Sequence, residues 1–243
     1  MLQRETFMAP TLPKPVLRSF EVVAQKITNL VQADYKPGQR LPSERDMAQH
    51  FGVSRPTIRE AILSLVMAGV LEVRRNSGVY VVGLGGLREV QVLEGFGPFE
   101  NLEARRLVEP PLAAAVARQP SAQTLAELAD SLAAMRQAHA DGQEADVPDH
   151  RFHMIIAEAS GNGVLVAVGD MLWRGQIESR IWREIHLHMP MAAYRPMWLA
   201  DHERIYEAIL NRSARKASAA MALHLDHIRD ALMKSSRLGS ILA

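Results

Sequence analysis

The sequence predicts a mostly α-helical protein in two parts: an N-terminal winged helix-turn-helix, helical with a small β-wing, and a C-terminal all-α bundle. Two observations carry this. Residues 40–82 alternate capped helical stretches with an Arg-rich ribbon. From about Phe99 onward no strand pattern survives, and residue content and apolar spacing favour helix throughout.

Residues 1–15 contain three prolines and no periodicity, the pattern of a flexible arm. Leu17, Phe20, Val23, Ala24, Ile27, Leu30 and Val31 then repeat at helical spacing, and Pro37-Gly38 ends that unit with a turn. Ser43 caps a short helix, with Asp46 three residues on as a capping-box relative, and Gly52 breaks it. Ser54 caps the next helix, Pro56 lies in its first turn, and Ile58, Ala61, Ile62 and Leu65 form its core stripe before Gly69 closes it. Val70–Arg74 and Val79–Val82 read as two strands joined across residues 75–78. Gly83-Leu84-Gly85-Gly86 marks a linker. Helices are expected over 102–118, 122–140, 146–159, 164–185, 195–210 and 214–234, punctuated by Pro120, Gly142, Gly161 and Pro190. The domain reading is therefore an arm (1–15), a winged helix-turn-helix (16–83), a linker (84–97) and a helical domain (98–237).

Composition is that of a soluble globular chain of 243 residues, with 48% hydrophobic and 23% charged residues. Without Cys there are no disulfides and no thiolate metal sites, which fits a reducing cytoplasm. No apolar run is long enough to span a membrane, and the N-terminus lacks a secretory signal pattern. Residues 1–85 hold 11 Lys/Arg against 7 Asp/Glu, and the remainder 17 against 20. A basic head on a mildly acidic body suggests that the head alone meets phosphate.

A helix entering the major groove uses its first turn, where unpaired N–H groups face phosphate. Here that turn offers Ser54, Arg55, Thr57 and Arg59. Either arginine could bond guanine bidentately. Arg45, on the preceding helix, can brace a phosphate or reach a base. Ser77-Gly78 at the wing tip lacks bulk and can enter a minor groove, while Arg74 and Arg75 contact the backbone. Each arginine alone reads equally well as part of a solvated face; the whole arrangement does not.

The segments LPSERDMAQHFGVSRPTIREAILSL and GVLEVRRNSGVYV resemble the N-terminal domain of the GntR family of bacterial transcription regulators. The resemblance implies DNA contacts at Arg45, Ser54, Arg55, Thr57 and Arg59, with Ser77 and Gly78 on the wing. It also implies a homodimer on a short palindromic operator.

The helical part carries eight of the nine histidines. Asp149 and His153 are four apart on one expected helix, so their side chains share a face. His202 and His224 lie on the last two helices. One Asp and three His suit a borderline divalent cation and leave positions open for an anion. Spacing alone leaves open the plainer reading of hydrogen-bonded core histidines.

GPFENLEARRLVE, DHRFHMIIAEASGN, Asp201-His202 and ALHL (222–225) together look like the FCD effector domain of the FadR subfamily, over roughly residues 99–235. That resemblance implies a metal at Asp149, His153, His202 and His224, with Zn2+ preferred and Mn2+ or Ni2+ as alternatives. It further implies that Arg105 pairs with the carboxylate of a small organic acid. His50, His139, His150, His186, His188 and His227 are read as surface or supporting residues.

SRIWREIHLHM and YRPMWLADHERIYEAIL resemble the hexuronate-responsive branch, which suggests a sugar acid and places Trp182, Arg183, His188, Tyr194, Arg195 and Trp198 near its pocket. Trp173 is read as core. The expectation is thus an effector-controlled regulator, a repressor, and no enzyme. Alternatives are a regulator answering lactate, pyruvate or a dicarboxylate, one answering the metal itself, and, remotely, a metalloenzyme activating water at the Asp/His site.

Overall fold

The structure is a computed structural model and describes residues 19–74, 77–83 and 96–235. The expected arm, residues 84–95 of the expected linker, and Arg75 lie outside these residues.

The N-terminal part begins with α1 (Ser19–Asp34), which buries Phe20, Val23, Ala24, Ile27 and Val31 along one face. The helix-turn-helix follows as α2 (Glu44–Phe51) and α3 (Arg55–Met67). Ser43 caps α2 by accepting from the Asp46 N–H at 3.2 Å, and its hydroxyl donates back to Asp46 Oδ2 at 2.7 Å. Gly52 leaves α2 at φ 67, a left-handed turn that only glycine enters freely. Ser54 caps α3 by accepting from the Thr57 N–H, with Pro56 in the first turn. Ile58, Ala61, Ile62 and Leu65 are fully buried, as the apolar spacing predicts.

The wing is an antiparallel pair, β1 (Leu71–Arg74) and β2 (Gly78–Val81), in register Leu71 to Val81 and Arg74 to Gly78. Arg40, returning from the Pro37-Gly38 turn, adds a bridge to Tyr80 beside β2.

The C-terminal part is helical among the described residues: α4 (Pro98–Arg118), α5 (Ala122–Ala140), α6 (Asp146–Ala159), α7 (Gly163–Glu178), α8 (Arg180–His188), α9 (Met191–Leu210) and α10 (Ala214–Ser235). α4 packs along α10, and α10 along α9. The first turn of α4 begins four residues earlier than spacing suggested, and Phe96 and Gly97, assigned to the linker, belong to the packed structure. Gly97 precedes α4 as its cap residue, and Phe96 lies against Gly175 so closely that a Cβ there would meet its ring at 2.2 Å.

One expected helix, 164–185, is two. Ser179 leaves the helical conformation at ψ 117, is buried, and its hydroxyl accepts from the Trp182 N–H to start α8. Apolar periodicity continues across the break and hides it. The new direction turns Trp182 and His186, one turn apart, toward the centre of the bundle. No helix among the described residues is long and apolar enough to cross a membrane.

Candidate functional site

Two regions carry candidate chemistry. In the first, α3 presents Ser54 and Arg55 to solvent at its N-terminus, and α2 presents Arg45. Arg55 is 55% exposed and 3.9 Å from Glu44, too distant to hold it. Ser54 and Thr57 share a 2.8 Å hydroxyl bond, which fixes both at the helix start. In the wing, the Arg74 guanidinium lies 4.1 Å over the Tyr80 ring and pairs with Glu72. Ser77 bonds the Tyr80 hydroxyl at 2.6 Å. Gly78, at φ 123, has the Arg40 side chain against it: a Cβ there would meet Arg40 Nε at 2.8 Å. Arg40 therefore adds a cation at the wing that sequence reading did not single out, because only the fold brings the turn after α1 beside β2.

Arg59 differs from its expected place. It is 4% exposed and donates from Nε and Nη2 to the Glu44 carboxylate, and from Nη1 to the Met233 carbonyl on α10 at 2.7 Å. The reason is helical geometry: position 59 follows buried Ile58 and points toward the body of the protein. Next to it, Glu60 is buried and accepts from the Phe99 N–H at 2.7 Å and the Glu100 N–H at 3.4 Å. Burial pushes its carboxyl up to about 8, despite those two donors. The second helix of the helix-turn-helix is thus held at adjacent residues by the C-terminal turn of α10 and the first turn of α4.

The second region is inside the bundle. Asp149 and His153 on α6, His202 on α9 and His224 on α10 bring their ligand atoms within 4.8 Å of one another. His202 Nε2 is 2.9 Å from Asp149 Oδ1, and His153 Nε2 is 3.2 Å from the same atom. The three histidines are buried, at 7%, 2% and 1% exposure.

Each ring has a group behind it on the side away from the cluster. His153 Nδ1 is 2.7 Å from Glu109 Oε2, His202 Nδ1 is 2.8 Å from the Trp198 carbonyl, and His224 Nδ1 is 3.7 Å from Asp201 Oδ2. The first two contacts help fix ring orientation with Nε2 turned to the cluster, whereas the Asp201 contact is too long for a hydrogen bond. Neither ring nitrogen of His224 has a hydrogen-bond partner among the described residues. Burial pushes His224 down to about 3, so it is neutral and keeps a lone pair. Burial opposes ionisation of Asp149, but His202 and His153 overcome this and hold its carboxyl well below the usual range. Three imidazoles, one of them with both ring nitrogens unsatisfied, and one carboxylate make a donor set that a divalent cation would satisfy.

Glu109 joins this cluster to Arg105. Arg105 is 1% exposed, donates to Glu109 Oε1 at 2.5 Å and to Gln176 Oε1 at 2.9 Å, and lies 5.0 Å over the Trp173 ring. Burial opposes charge on Glu109, and Arg105 and His153 together outweigh it, holding the carboxyl far below its ordinary value. Gln176 carries no pattern that marks it in sequence. Glu109 could have been found, since it stands one helical turn after Arg105 on the same face.

Arg105, Asp149, His202 and His224 line a cavity of about 830 Å³, its open mouth included. Trp182, Arg195 and Trp198 also line it, as expected. Two expected residues do not. Arg183 points outward on α8 and donates weakly to the Ile177 carbonyl, because the inward face of that helix is taken by Trp182 and His186. Tyr194 is stacked on Trp198, with ring centroids 5.7 Å apart, and stands outside the wall. His139 and His186, read as supporting residues, line the cavity. His150 stacks on buried Trp173, and His227 is bonded to Asp201 away from the cluster. Asp201 is therefore a carboxylate behind His224 that also holds His227 and Arg204.

Comparison with known proteins follows the same division. Residues 20–81 match the family described as bacterial regulatory proteins, gntR family, and residues 100–227 match the FCD domain. The chain is 32% identical over 232 residues to the Uxu operon transcriptional regulator of Escherichia coli K12, covering 92% of this chain and 90% of that protein. It is 31% identical over 216 residues to the Exu regulon transcriptional regulator of the same strain, covering 86% and 82%. Among solved structures, E. coli McbR/YncC shares the fold, with a TM-score of 0.50 at 20% identity over 90% of this chain and 99% of that one.

Proposed function

This chain belongs to the GntR family of bacterial regulatory proteins, carries an FCD domain and is a DNA-binding transcription regulator, not an enzyme; from that premise we propose that a sugar acid of the hexuronate class, bound beside a divalent metal in the helical domain, controls its hold on DNA. It acts as a cytoplasmic homodimer on a palindromic operator, as a repressor. The observation that carries the reading is a single cavity walled by both Arg105 and the Asp149, His202 and His224 cluster. That pairing suits a carboxylate, and the mixed apolar and polar walls suit a ligand larger than a bare anion.

Asp149, His153, His202 and His224 would hold the metal, with Zn2+ preferred by three imidazoles and one carboxylate. When bound, such a cation supplies positive charge and open positions for a carboxylate oxygen. Glu109 orients His153 and Arg105 together, so the two sides of the site move as one unit. Trp182 and Trp198 add apolar wall to the rest of the cavity.

Coupling to DNA follows from where the helices end. α4 carries Arg105 and Glu109, and its first turn is bonded by Glu60 of α3. α10 carries His224, and its Met233 carbonyl accepts from Arg59 of α3. A ligand that changes the packing of α4 against α10 therefore acts on adjacent residues of the helix that presents Arg55. A differential affinity of about 1.4 kcal/mol is enough to change operator affinity tenfold.

The test is fluorescence anisotropy with the purified, metal-loaded protein and a labelled operator fragment. D-glucuronate, D-galacturonate and D-fructuronate should weaken binding, and Arg105→Ala should abolish their effect. A response to lactate, pyruvate or a dicarboxylate alone would replace the sugar-acid assignment. Control of DNA affinity by metal alone, persisting in Arg105→Ala, would overturn the organic-acid reading.

A further inference from the structure

The cavity has a second polar end that neither the metal cluster nor Arg105 accounts for. Glu144, Asp146 and His186 bring one ligand atom each within 4.8 Å of one another, and all three line the cavity. His186 Nε2 is 3.7 Å from Glu144 Oε1. Arg195 lines the same end, and its charge is felt at Asp146. The group sets two carboxylates beside an imidazole and a guanidinium, and the same cavity has apolar wall from Trp182, Met189, Trp198 and Leu199.

Four side chains along this cavity have buried polar atoms with no hydrogen-bond partner among the described residues: the His224 ring, 1% exposed, the Trp173 and Trp198 indole N–H groups, and His186 Nε2. Buried polar groups left in this way mark a space that a polar ligand completes.

Taking the sugar-acid reading as given, we propose that Glu144, Asp146, His186 and Arg195 form a hydroxyl-reading subsite that selects long polyhydroxylated acids over short ones. A hydroxyl both donates and accepts, so a row of them is matched by carboxylates and cations set side by side. A single charge of either sign would instead favour a second ionic group. Carboxylates take two hydroxyls of a vicinal diol at once, and the tryptophan faces pack against the C–H side of a sugar chain.

The spacing sets the length. Asp146 and Asp149 are three residues apart on α6, which separates their Cα atoms by ~4.5 Å along the axis. With ~1.5 Å bonds, a three-carbon acid spans under about 3 Å and a six-carbon acid roughly 6 Å. A six-carbon acid with its carboxylate at the metal cluster therefore has more hydroxyls within reach of Asp146 than a three-carbon acid has.

Isothermal titration calorimetry on the full-length, metal-loaded protein tests this with D-glucuronate, D-gluconate and L-lactate. The wild type should bind the six-carbon acids at least tenfold more tightly than lactate. Asp146→Asn and the exposed-site variant Glu144→Gln should each weaken the six-carbon acids severalfold and leave lactate within twofold; thermal melts of both variants report whether they fold. If variants that fold weaken all three acids alike, or none, the subsite is overturned while the sugar-acid reading stands. Lactate bound as tightly as gluconate by the wild type also overturns the selection. A second equivalent of metal, lost in Asp146→Asn, would make the group a cation site instead. Absence of binding by any acid defeats the sugar-acid reading itself, and the subsite with it.

Discussion

Glu60 on α3 accepts a 2.7 Å hydrogen bond from the backbone N–H of Phe99, in the first turn of α4. One side chain of the DNA-reading head thereby caps a helix of the effector body, where the positive end of the helix dipole favours an acceptor. The fit is close: a Cβ on Gly97 would lie 2.6 Å from Glu60 Oε1.

The contact should depend on pH. Burial, reinforced by the nearby Glu100 and Glu103, raises the Glu60 carboxyl from 4.5 to about 8 in the folded chain. Its unfolded value is lower, so the unfolded state ionises first as pH rises. Stability from this group is then present below about pH 4.5 and lost progressively up to about pH 8, on the order of a few kcal/mol. Glu60→Gln keeps an oxygen acceptor and cannot ionise. Thermal melts should show the wild type losing stability between pH 5 and 8, and the variant losing less. Parallel curves for the two proteins would show that Glu60 does not titrate in this range.

Removing Glu109 should damage two functions at once. It is the counter-ion of Arg105, which is 1% exposed, and the support behind His153. Glu109→Ala strands a buried guanidinium, a loss of roughly 3–5 kcal/mol by urea unfolding in chelator. Loss of the histidine support should lower metal affinity about 10–100-fold in competition with a chromogenic chelator. Unchanged metal affinity in a folded variant would separate Glu109 from the cluster.

The sequence made the elements and the four clustered ligands legible for different reasons. Caps and breakers act locally, so Ser43, Gly52, Ser54 and Pro56 could be placed from neighbours alone. Asp149 and His153 share a helix face by spacing, but His202 and His224 join them only through the packing of α9 and α10, which the family likeness supplied. Arg59 was misplaced because helical position alone does not say that α10 ends against it. The break at Ser179 was invisible because a buried serine that caps α8 reads like a serine inside a helix.

Chelation should destabilise the wild type and spare a ligand variant. At a metal concentration near 1,000 times Kd, binding adds about 4 kcal/mol, or roughly 10 °C in Tm for a chain of this size. EDTA should remove that increment. His224→Ala deletes the ring whose two nitrogens lack partners, so its Tm should respond little to EDTA or to added Zn2+. An equal EDTA response in both proteins would place the stabilising metal elsewhere.

Arg55 and Arg59 stand one turn apart on α3 and should behave oppositely. Arg55 is 55% exposed at the helix N-terminus, so Arg55→Ala should leave Tm within about 1 °C. It should weaken operator binding by roughly tenfold or more, and if it contacts phosphate it should lower the salt slope by about 1. Arg59 is buried against Glu44 and the Met233 carbonyl, so Arg59→Ala leaves Glu44 without its bidentate partner and an α10 carbonyl without its donor. A loss of about 1–3 kcal/mol in stability is expected. Its effect on DNA should appear mainly in the response to effector, because the link between α3 and α10 is what the substitution cuts. Operator titrations with and without D-glucuronate, alongside thermal melts, separate the two roles. If Arg59→Ala kept wild-type stability and a full effector response while losing DNA affinity, Arg59 would be a DNA-reading residue and its contact with α10 would have no part in the switch.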